Sequence, residues 1–208
     1  MKKKTEAKRQ AILDVAAQAF QELGFERTSM SEICARVGGS KATLYNYFPS
    51  KEELFFEVAF LASEAEFETV HAAIDTTMTD IAESLRHFGE TFLAFLYSPR
   101  IRAQRHLAVS ESGRTNLGRL VYERGVLRSQ NLIATFLQQA MSQGKLRQTD
   151  PNVATQHLHS LLESELLDRF LFQLLGEVSS DEIRLVTARA IDVFMAAYGL
   201  QQTESAAR

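Results

Sequence analysis

The side chains best suited to bind another molecule lie close together in one short stretch of the chain. They are hydroxyl, amide and ammonium groups, contributed by Ser40, Lys41, Thr43, Tyr45, Asn46, Tyr47 and Lys51. Such groups donate hydrogen bonds and attract anions, but they do not form a paired acid and base or an activated nucleophile. The stretch therefore favours recognition of a polar or anionic partner over catalysis.

Two short helices are predicted around this stretch, at residues 30–36 and 41–47, and Gly38-Gly39-Ser40 joins them. Glycine permits the positive φ angles that so tight a turn needs. Ile33 and Val37 form an apolar stripe on the earlier helix, and Leu44 and Phe48 form one on the later helix. Both stripes can pack against the Phe20 face of a preceding helix, which predicts a helix-turn-helix on a supporting helix.

The later helix then presents Lys41, Ala42, Thr43, Tyr45, Asn46 and Tyr47 outward. Tyr45 and Tyr47 diverge by about 200° at 100° per residue, so they can reach opposite walls of one DNA groove. Small and polar groups suit base edges, hydroxyls and cations suit phosphates, and a helix beginning at Ser40 turns free N–H groups toward an anion. Lys51 opens the next helix, where its charge does not help that helix, and so it is a further candidate. The alternative is that the tyrosines cap the small core and the lysines are ordinary solvated residues.

Charge is distributed unevenly along the 208 residues. Residues 1–51 carry nine Lys and Arg against five Asp and Glu, whereas the remainder carries fourteen against twenty-one. A basic head on an acidic body suggests that the head meets a polyanion. The single cysteine, Cys34, cannot form an intrachain disulfide, and it is interpreted as a buried packing residue rather than a redox switch.

Apolar residues recur at spacings of three and four throughout, and no run of strict alternation appears, so we predict an all-α protein of about nine helices. The predicted helices are 5–23, 30–36, 41–47, 51–76, 80–97, 101–112, 116–142, 151–175 and 180–198. Ser29 with Glu32, Ser50 with Glu53, and Ser179 with Glu182 read as capping boxes, and Asp150-Pro151 as another helix start. We expect a helix-turn-helix domain at 1–50, a helical bundle at 51–200 and a flexible tail at 201–208.

The segment from Thr28 to Leu54, "TSMSEICARVGGSKATLYNYFPSKEEL", strongly resembles the DNA-binding domain of the TetR/AcrR family of bacterial transcriptional regulators. With "AILDVAAQAFQELGFERTSM" the resemblance covers about residues 8–60. Further along, "RHLAVSESGR" and "GKLRQTDPNVA" are similar to the AefR-like branch. Cys34 and Gly39 depart from the usual pattern, where alanine and valine are common.

Carried over by position, the resemblance implies base-edge contacts from Lys41, Ala42, Thr43 and Ser31. It implies phosphate contacts from Thr28, Ser29, Ser40, Tyr45, Tyr47 and Lys51. It also implies a dimer that binds a palindromic operator, with a small-molecule effector that lowers DNA affinity. We expect a repressor, although activation stays open.

The bundle is rich in phenylalanine, and these rings are either plain core or the lining of an apolar effector cavity between helices. The candidates for the cavity are Phe60, Phe67, Phe88, Phe92, Phe95, Phe136 and Phe170. They predict a small apolar or amphipathic effector.

The helices at 151–175 and 180–198 are apolar on more than one face, so they are either central to a monomer or packed against a second copy. Ser160 and Ser164 form a small-residue step that permits close helix approach. The candidate dimer residues are Leu158, Ser160, Leu161, Ser164, Val186, Ala190 and Phe194.

Other classes of protein are disfavoured. There is no glycine-rich phosphate loop or nucleophile elbow, which argues against an enzyme. The five histidines lack metal-ligand spacing, so neither a metal nor another cofactor is expected. No apolar run is long enough for a signal peptide or a membrane span, so a cytoplasmic protein is expected. An adaptor that keeps the helix-turn-helix only as a scaffold is the other alternative, and salt-dependent retention on DNA discriminates between them, because a true DNA binder loses affinity steeply as salt rises.

Overall fold

A computed structural model describes residues 5–72 and 80–200 of the chain. The regular structure in these residues is helical, which confirms the all-α prediction. The α-helices are α1 (Glu6–Arg27), α2 (Met30–Val37), α3 (Lys41–Tyr47), α4 (Lys51–Ala72), α5 (Ile81–Leu96), α6 (Pro99–Glu111), α7 (Leu117–Val121), α8 (Leu127–Ser142), α9 (Pro151–Glu163), α10 (Leu167–Leu171) and α11 (Ser180–Tyr198). A π-helical segment, Tyr122–Val126, lies between α7 and α8.

The predicted helix starts are confirmed by their hydrogen bonds. Ser29, Ser50 and Ser179 each accept the backbone N–H three residues ahead, at 3.1 Å. Asp150 accepts the N–H of Asn152 at 2.8 Å. These caps satisfy N–H groups that the first turn of a helix leaves unpaired.

Two predicted helices are interrupted in the structure. The helix predicted at 116–142 contains the π-helical segment. The helix predicted at 151–175 ends at Glu163, where the Ser164 hydroxyl donates to the Leu161 carbonyl at 2.7 Å and so competes with the helical ladder. Residues 73–76 of the helix predicted at 51–76, and the tail at 201–208, lie outside the described residues.

The chain forms two compact units. The first contains residues 1–65 and 107–124, and the second contains residues 66–106 and 125–208. Segment 107–124 belongs to the first unit because Ala108 and Leu117 are buried in its core. The division between residues 50 and 51 stays a prediction.

The first unit is built around the aromatic face of α1. Ile33 of α2 and Leu44 of α3 are buried there with Phe48, and Phe55 packs edge-on against Phe20 at a ring distance of 5.1 Å. The packing of both short helices on the Phe20 face is therefore confirmed. Burying these side chains gives α2 and α3 the stability that helices of seven or eight residues lack alone.

The second unit has its own core, drawn from α5, α8, α9 and α11. Gly89 lies where α5 meets two other helices, since a Cβ atom there would stand 2.7 Å from Thr187 and 2.8 Å from Leu162. Glycine thus permits a close approach that alanine would obstruct. Within residues 5–72 and 80–200, no helix is long and apolar enough to cross a membrane.

Candidate nucleic-acid interface and effector site

Helix α3 exposes the face that the sequence singles out. Its side chains at Lys41, Ala42, Thr43, Tyr45 and Asn46 are exposed, whereas Leu44 is buried. Phe48, at the C-cap, is also buried. The buried residues hold the helix from one side, which leaves the polar groups turned outward as a group.

The turn before α3 fixes where this helix begins. Gly38 has φ 70° and Gly39 has φ 131°, which confirms the predicted need for glycine. The Ser40 hydroxyl accepts the Thr43 N–H at 3.1 Å and lies 2.9 Å from the Thr43 hydroxyl. Cys34 is buried, and its thiol lies 3.5 Å from the Gly39 carbonyl, in agreement with a packing role.

The two tyrosines have different surroundings. Tyr45 is 48% exposed, as a groove-facing residue should be. Tyr47 is half-buried against the first core, and its hydroxyl accepts the backbone N–H of Thr5 at 2.8 Å. Tyr47 therefore links the start of α1 to α3. This agrees in part with the alternative that the tyrosines cap the small core. The contact of Tyr47 with phosphate stays a prediction.

Thr28 requires a correction. Its side chain is 1% exposed, and its hydroxyl donates to the carbonyls of Gly24 at 2.7 Å and Ala19 at 3.2 Å. This hydroxyl closes the C-terminal end of α1, where Gly24 leaves helical geometry with φ 77°. A buried hydroxyl committed to two carbonyls cannot contact phosphate. Ser29 and Ser31 are exposed, so their predicted roles remain possible.

Lys51 requires a second correction. Its ammonium group donates to the Phe25 carbonyl at 2.8 Å and lies 4.1 Å from the centre of the Phe25 ring. The Glu26 carbonyl is 3.5 Å away. The premise that Lys51 gains nothing locally is wrong, because the cation satisfies carbonyls at the end of α1. Sequence spacing could not reveal partners 25 and 26 residues distant.

Comparisons with known proteins agree with this geometry. A family model for the tetR family of bacterial regulatory proteins matches residues 12–58. A second model, for the C-terminal domain of AefR-like transcriptional repressors, matches residues 83–200, more than half of the chain. The chain belongs to the TetR family. The family consists of transcriptional regulators, which bind DNA as dimers, and some of them bind small ligands.

Individual relatives support the assignment. The chain is 31% identical over 109 residues to the uncharacterized HTH-type transcriptional regulator YfiR of Bacillus subtilis (strain 168), a match that covers 48% of this chain and 53% of YfiR. It therefore spans about half the length of that relative. A structure assigned to the TetR family from Mesorhizobium loti MAFF303099 has a TM-score of 0.78 at 26% identity, with 95% of this chain and 100% of that chain covered. The Flavonoid-responsive Regulator FrrA has a TM-score of 0.74 at 30% identity, with the same coverage.

The candidate dimer residues fall into two groups. Four of them are buried in the core of their own unit: Leu158, Val186, Ala190 and Phe194. They cannot form an interface with a second copy, and this part of the prediction is wrong because both faces of an apolar helix looked equal in sequence. Ser160 and Ser164 are exposed, and Leu161 is partly buried.

The surface of the second unit carries other apolar residues. They are Val126, Leu132, Val153, Leu167, Leu171, Phe172, Leu174, Leu185, Val193 and Leu200. Phe172 and Leu174 are 73% and 74% exposed on either side of Gln173, which has a φ of 56°. Leu185 and Val193 lie eight positions apart on α11 and so share one face of that helix. We call Val153, Phe172, Leu174, Leu185 and Val193 the apolar face.

The predicted effector residues are divided as well. Phe60 belongs to the first unit, where its ring stacks on Phe56 at 5.7 Å. Phe170 is buried in the same core of the second unit as Phe88, Phe92 and Phe136, where its ring stacks on His106 at 4.1 Å and lies beneath the Arg105 guanidinium at 4.5 Å. The effector role of both rings stays a prediction.

The remaining rings form a connected array with two histidines. Phe67 and His71 of α4 lie 4.1 Å apart, and His71 lies 6.4 Å from Phe88 of α5. Phe88 stacks on Phe92 at 5.3 Å, and Phe92 stacks on His159 of α9 at 5.0 Å. We call these five side chains the aromatic–histidine cluster. Phe95 contacts Phe67 at 6.4 Å, and Phe136 is buried in the same core.

His71 has a fixed orientation within the cluster. Its Nδ1 lies 2.7 Å from the Phe67 carbonyl, and its Nε2 lies 3.0 Å from the Ser129 hydroxyl. A carbonyl only accepts, so Nδ1 carries the proton and Ser129 donates to Nε2. Burial lowers the pKa of His71, and the nearby Arg128 charge lowers it further.

His159, like His71, is partly buried. Burial lowers its pKa to about 4, and the charge of His71 also lowers it, against an opposing effect of Glu163. Its Nε2 atom is buried without a hydrogen-bond partner among the described residues. A buried polar atom left unpaired is costly and calls for an explanation.

A third polar group lies near Phe170. Glu163 accepts hydrogen bonds from the Tyr97 hydroxyl and from Arg105, each at 2.7 Å. Burial raises the pKa of Tyr97, and the Glu163 charge raises it further. Tyr97, Arg105 and Glu163 were not predicted to form a group, because they are up to 66 positions apart in the chain. Polar side chains within apolar helical stripes were the available signal.

A surface groove of about 600 Å³ also lies in the second unit. Residues of α4, α5 and the start of α6 line it, and Glu66 pairs with Arg100 at its edge. Of the predicted phenylalanines, Phe95 is part of this lining. The same ring contacts Phe67, so the groove borders the aromatic–histidine cluster.

Proposed function

We propose that this protein is a sequence-specific DNA-binding transcriptional regulator that acts as a homodimeric, ligand-responsive repressor. The observation that carries the proposal is the outward face of α3, whose polar side chains are exposed together while Leu44 and Phe48 anchor the helix. An exposed polar helix next to a capped turn is the arrangement by which a helix-turn-helix enters the major groove. Family membership supports the same function.

The division of contacts follows from exposure. Lys41, Ala42 and Thr43 form the first turn of α3, the part of a recognition helix that meets base edges. Ser29 and Tyr45 lie exposed to the sides, where their hydroxyls suit phosphate oxygens. Thr28 and Lys51 are left out of this set, since both serve the end of α1.

One copy of α3 is too short to specify a site. Seven residues span roughly 10 Å at 1.5 Å per residue, which covers only a few base pairs. A second copy related by two-fold symmetry would read a palindromic operator, with recognition helices about 34–36 Å apart. The proposed DNA partner also implies a cytoplasmic location in a bacterium.

The apolar face is the proposed surface for the second copy. It lies within the unit matched by the AefR-like C-terminal model. Leu185 and Val193 project from α11 on either side of Arg189, which forms a bidentate pair with Glu165 at 2.7 Å. Apolar side chains around a fixed ion pair suit a self-complementary interface.

An effector would bind in the second unit. The aromatic–histidine cluster and the neighbouring groove offer apolar walls with a few polar groups, the usual composition of small-molecule sites. The name of the 30%-identical FrrA describes it as responsive to flavonoids, which supports a ligand response here too. The effector would lower DNA affinity by as much as it prefers the state that does not bind DNA.

The test is selection of binding sites from random DNA by the full-length protein, followed by fluorescence anisotropy titration. We expect a palindromic consensus and an affinity that falls steeply with salt, by about 0.9 log unit per log unit of salt for each phosphate contact. Lys41→Ala should weaken binding and relax sequence preference. Arg184→Ala, which removes one exposed charge from the second unit, should leave both unchanged.

Two results would contradict the proposal. Enrichment of no sequence above background would exclude specific DNA binding. A consensus without two-fold symmetry, bound by a monomer, would exclude the dimer.

A further inference from the structure

The surface groove of the second unit has room for a small molecule. Its volume of about 600 Å³ falls within the range of about 300–1,000 Å³ that is usual for ligand sites. Its lining lies between residues 66 and 100, so the groove belongs to the second unit alone. Val70, Ala94, Phe95 and Pro99 give it apolar walls. An apolar body therefore has both space and contact surface in the groove.

The edge of the groove carries a cation with unused hydrogen-bonding capacity. Arg100 donates from Nη2 to Glu66, which uses one of the five N–H donors of a guanidinium group. The other four have no partner among the described residues. The Arg100 side chain is 43% exposed, so these donors are accessible. An adjacent pair of guanidinium N–H groups matches the two oxygens of a carboxylate.

The start of α6 adds positive partial charge at the same edge. The Arg102 N–H bonds to the Ser98 carbonyl at 2.9 Å, whereas the N–H groups of Arg100 and Ile101 are unpaired in the part of the chain that the structure describes. No acidic residue lies in the first turn of α6. Unpaired N–H groups at the start of a helix favour an anion. Because the charges of Arg100 and Glu66 cancel, the helix start leaves this edge slightly positive.

We propose that the groove binds an amphipathic carboxylate, with its apolar body against Ala94 and Phe95 and its carboxylate group on Arg100. The small positive charge suits an anion with a single negative charge. This inference rests on the proposed function, in which the second unit binds the effector. It adds the chemical class of that effector and the residue that selects it.

The test uses the full-length protein and two probes of nearly the same shape, 2-naphthoate and neutral 2-naphthamide. The chain has no tryptophan, so naphthalene fluorescence reports binding without tryptophan emission. We expect 2-naphthoate to bind about fivefold more tightly at low salt, the effect of a well-formed ion pair at a partly exposed site. The preference should shrink as added salt screens the charges.

Three variants locate the site. Arg100→Gln should bind 2-naphthoate and 2-naphthamide equally. Arg86→Gln is the matched control and should keep the preference, because Arg86 also pairs with a carboxylate, that of Asp192 at 3.0 Å, and is 42% exposed. Ala94→Phe, which fills the groove from an exposed position, should abolish binding of both probes. Circular dichroism checks that each variant is folded.

The inference fails if the unaltered protein binds neither probe, or binds 2-naphthamide as tightly as 2-naphthoate, a comparison that needs no variant. It also fails if folded Arg100→Gln keeps the preference, if Arg86→Gln loses it, or if Ala94→Phe still binds both probes. These failures are separate from those of the proposed function, which is tested by the selected DNA in the absence of any probe. Binding of 2-naphthoate in the groove without loss of DNA affinity would support the site and overturn its role as the effector site.

Discussion

Lys51 and Lys41 lie at the starts of consecutive helices, and the structure gives them opposite roles. We predict that Lys51→Ala destabilises the first unit but leaves DNA affinity nearly unchanged when the protein is folded. Lys41→Ala should do the reverse. The sequence alone predicts that both ammonium groups contact DNA. This pair of variants therefore distinguishes the prediction from the sequence from the prediction from the structure.

The magnitude for Lys51 follows from its contacts. A hydrogen bond from a charged group contributes about 1.5–3 kcal/mol, and a cation over an aromatic ring contributes about 0.5–1 kcal/mol where water remains near. The charge also stands at the first turn of α4, where removing a cation returns about 0.3–1 kcal/mol. The net loss is therefore about 2 kcal/mol. For exposed Lys41 the change should stay within about 0.5 kcal/mol.

Urea denaturation followed by far-ultraviolet circular dichroism measures the first quantity, and anisotropy titration across salt concentrations measures the second. Lys41→Ala should reduce affinity and, where it touches phosphate, lower the salt slope by about 0.9. The reasoning is refuted if Lys51→Ala keeps its urea midpoint and instead lowers the salt slope. That outcome would mean that the ammonium group leaves the Phe25 carbonyl to bind DNA.

Three further predictions concern other parts of the chain. Leu185→Glu on the apolar face should give helical monomers that lose specific DNA binding, which sedimentation velocity would show; an intact dimer would remove Leu185 from the interface. Tyr45→Phe should weaken DNA binding by about 0.5–1.5 kcal/mol without changing the melting temperature, and an unchanged titration would argue against a phosphate contact. His159, with a folded pKa of about 4 against an ordinary 6.5, should stabilise the fold fully above pH 6.5 and lose about 3 kcal/mol of that effect as the pH falls to 4. Chemical denaturation at several pH values measures this loss, and a His159→Leu variant with the same acid dependence would contradict the assignment.

Local patterns in the sequence determined the helices and the recognition helix. Capping serines, paired glycines and apolar spacing act within a few residues of one another, so Ser29, Gly38 and Leu44 could be interpreted without a fold. The exposed positions of Lys41 and Thr43 follow from the same local geometry. These features predicted the helix-turn-helix and its outward face.

Only the tertiary structure decided which of the other candidate side chains are buried in the protein and which are exposed on its surface. In the sequence, Thr28 and Lys51 look like exposed residues that could contact DNA. In the structure they donate hydrogen bonds to the carbonyls of Gly24 and Phe25, near the end of α1, where Gly24 departs from helical geometry. Val186 looked available to a second copy, but it is buried in its own core.

The same limit applies to the candidate effector site. His71 and His159 are 88 positions apart in the chain, and they share an aromatic array only because α4, α5 and α9 pack together. Contacts between distant segments depend on how helices pack. The spacing of apolar residues in one helix does not show which other helices pack against it. The sequence could therefore predict the recognition helix, whereas the surroundings of His159 required the fold.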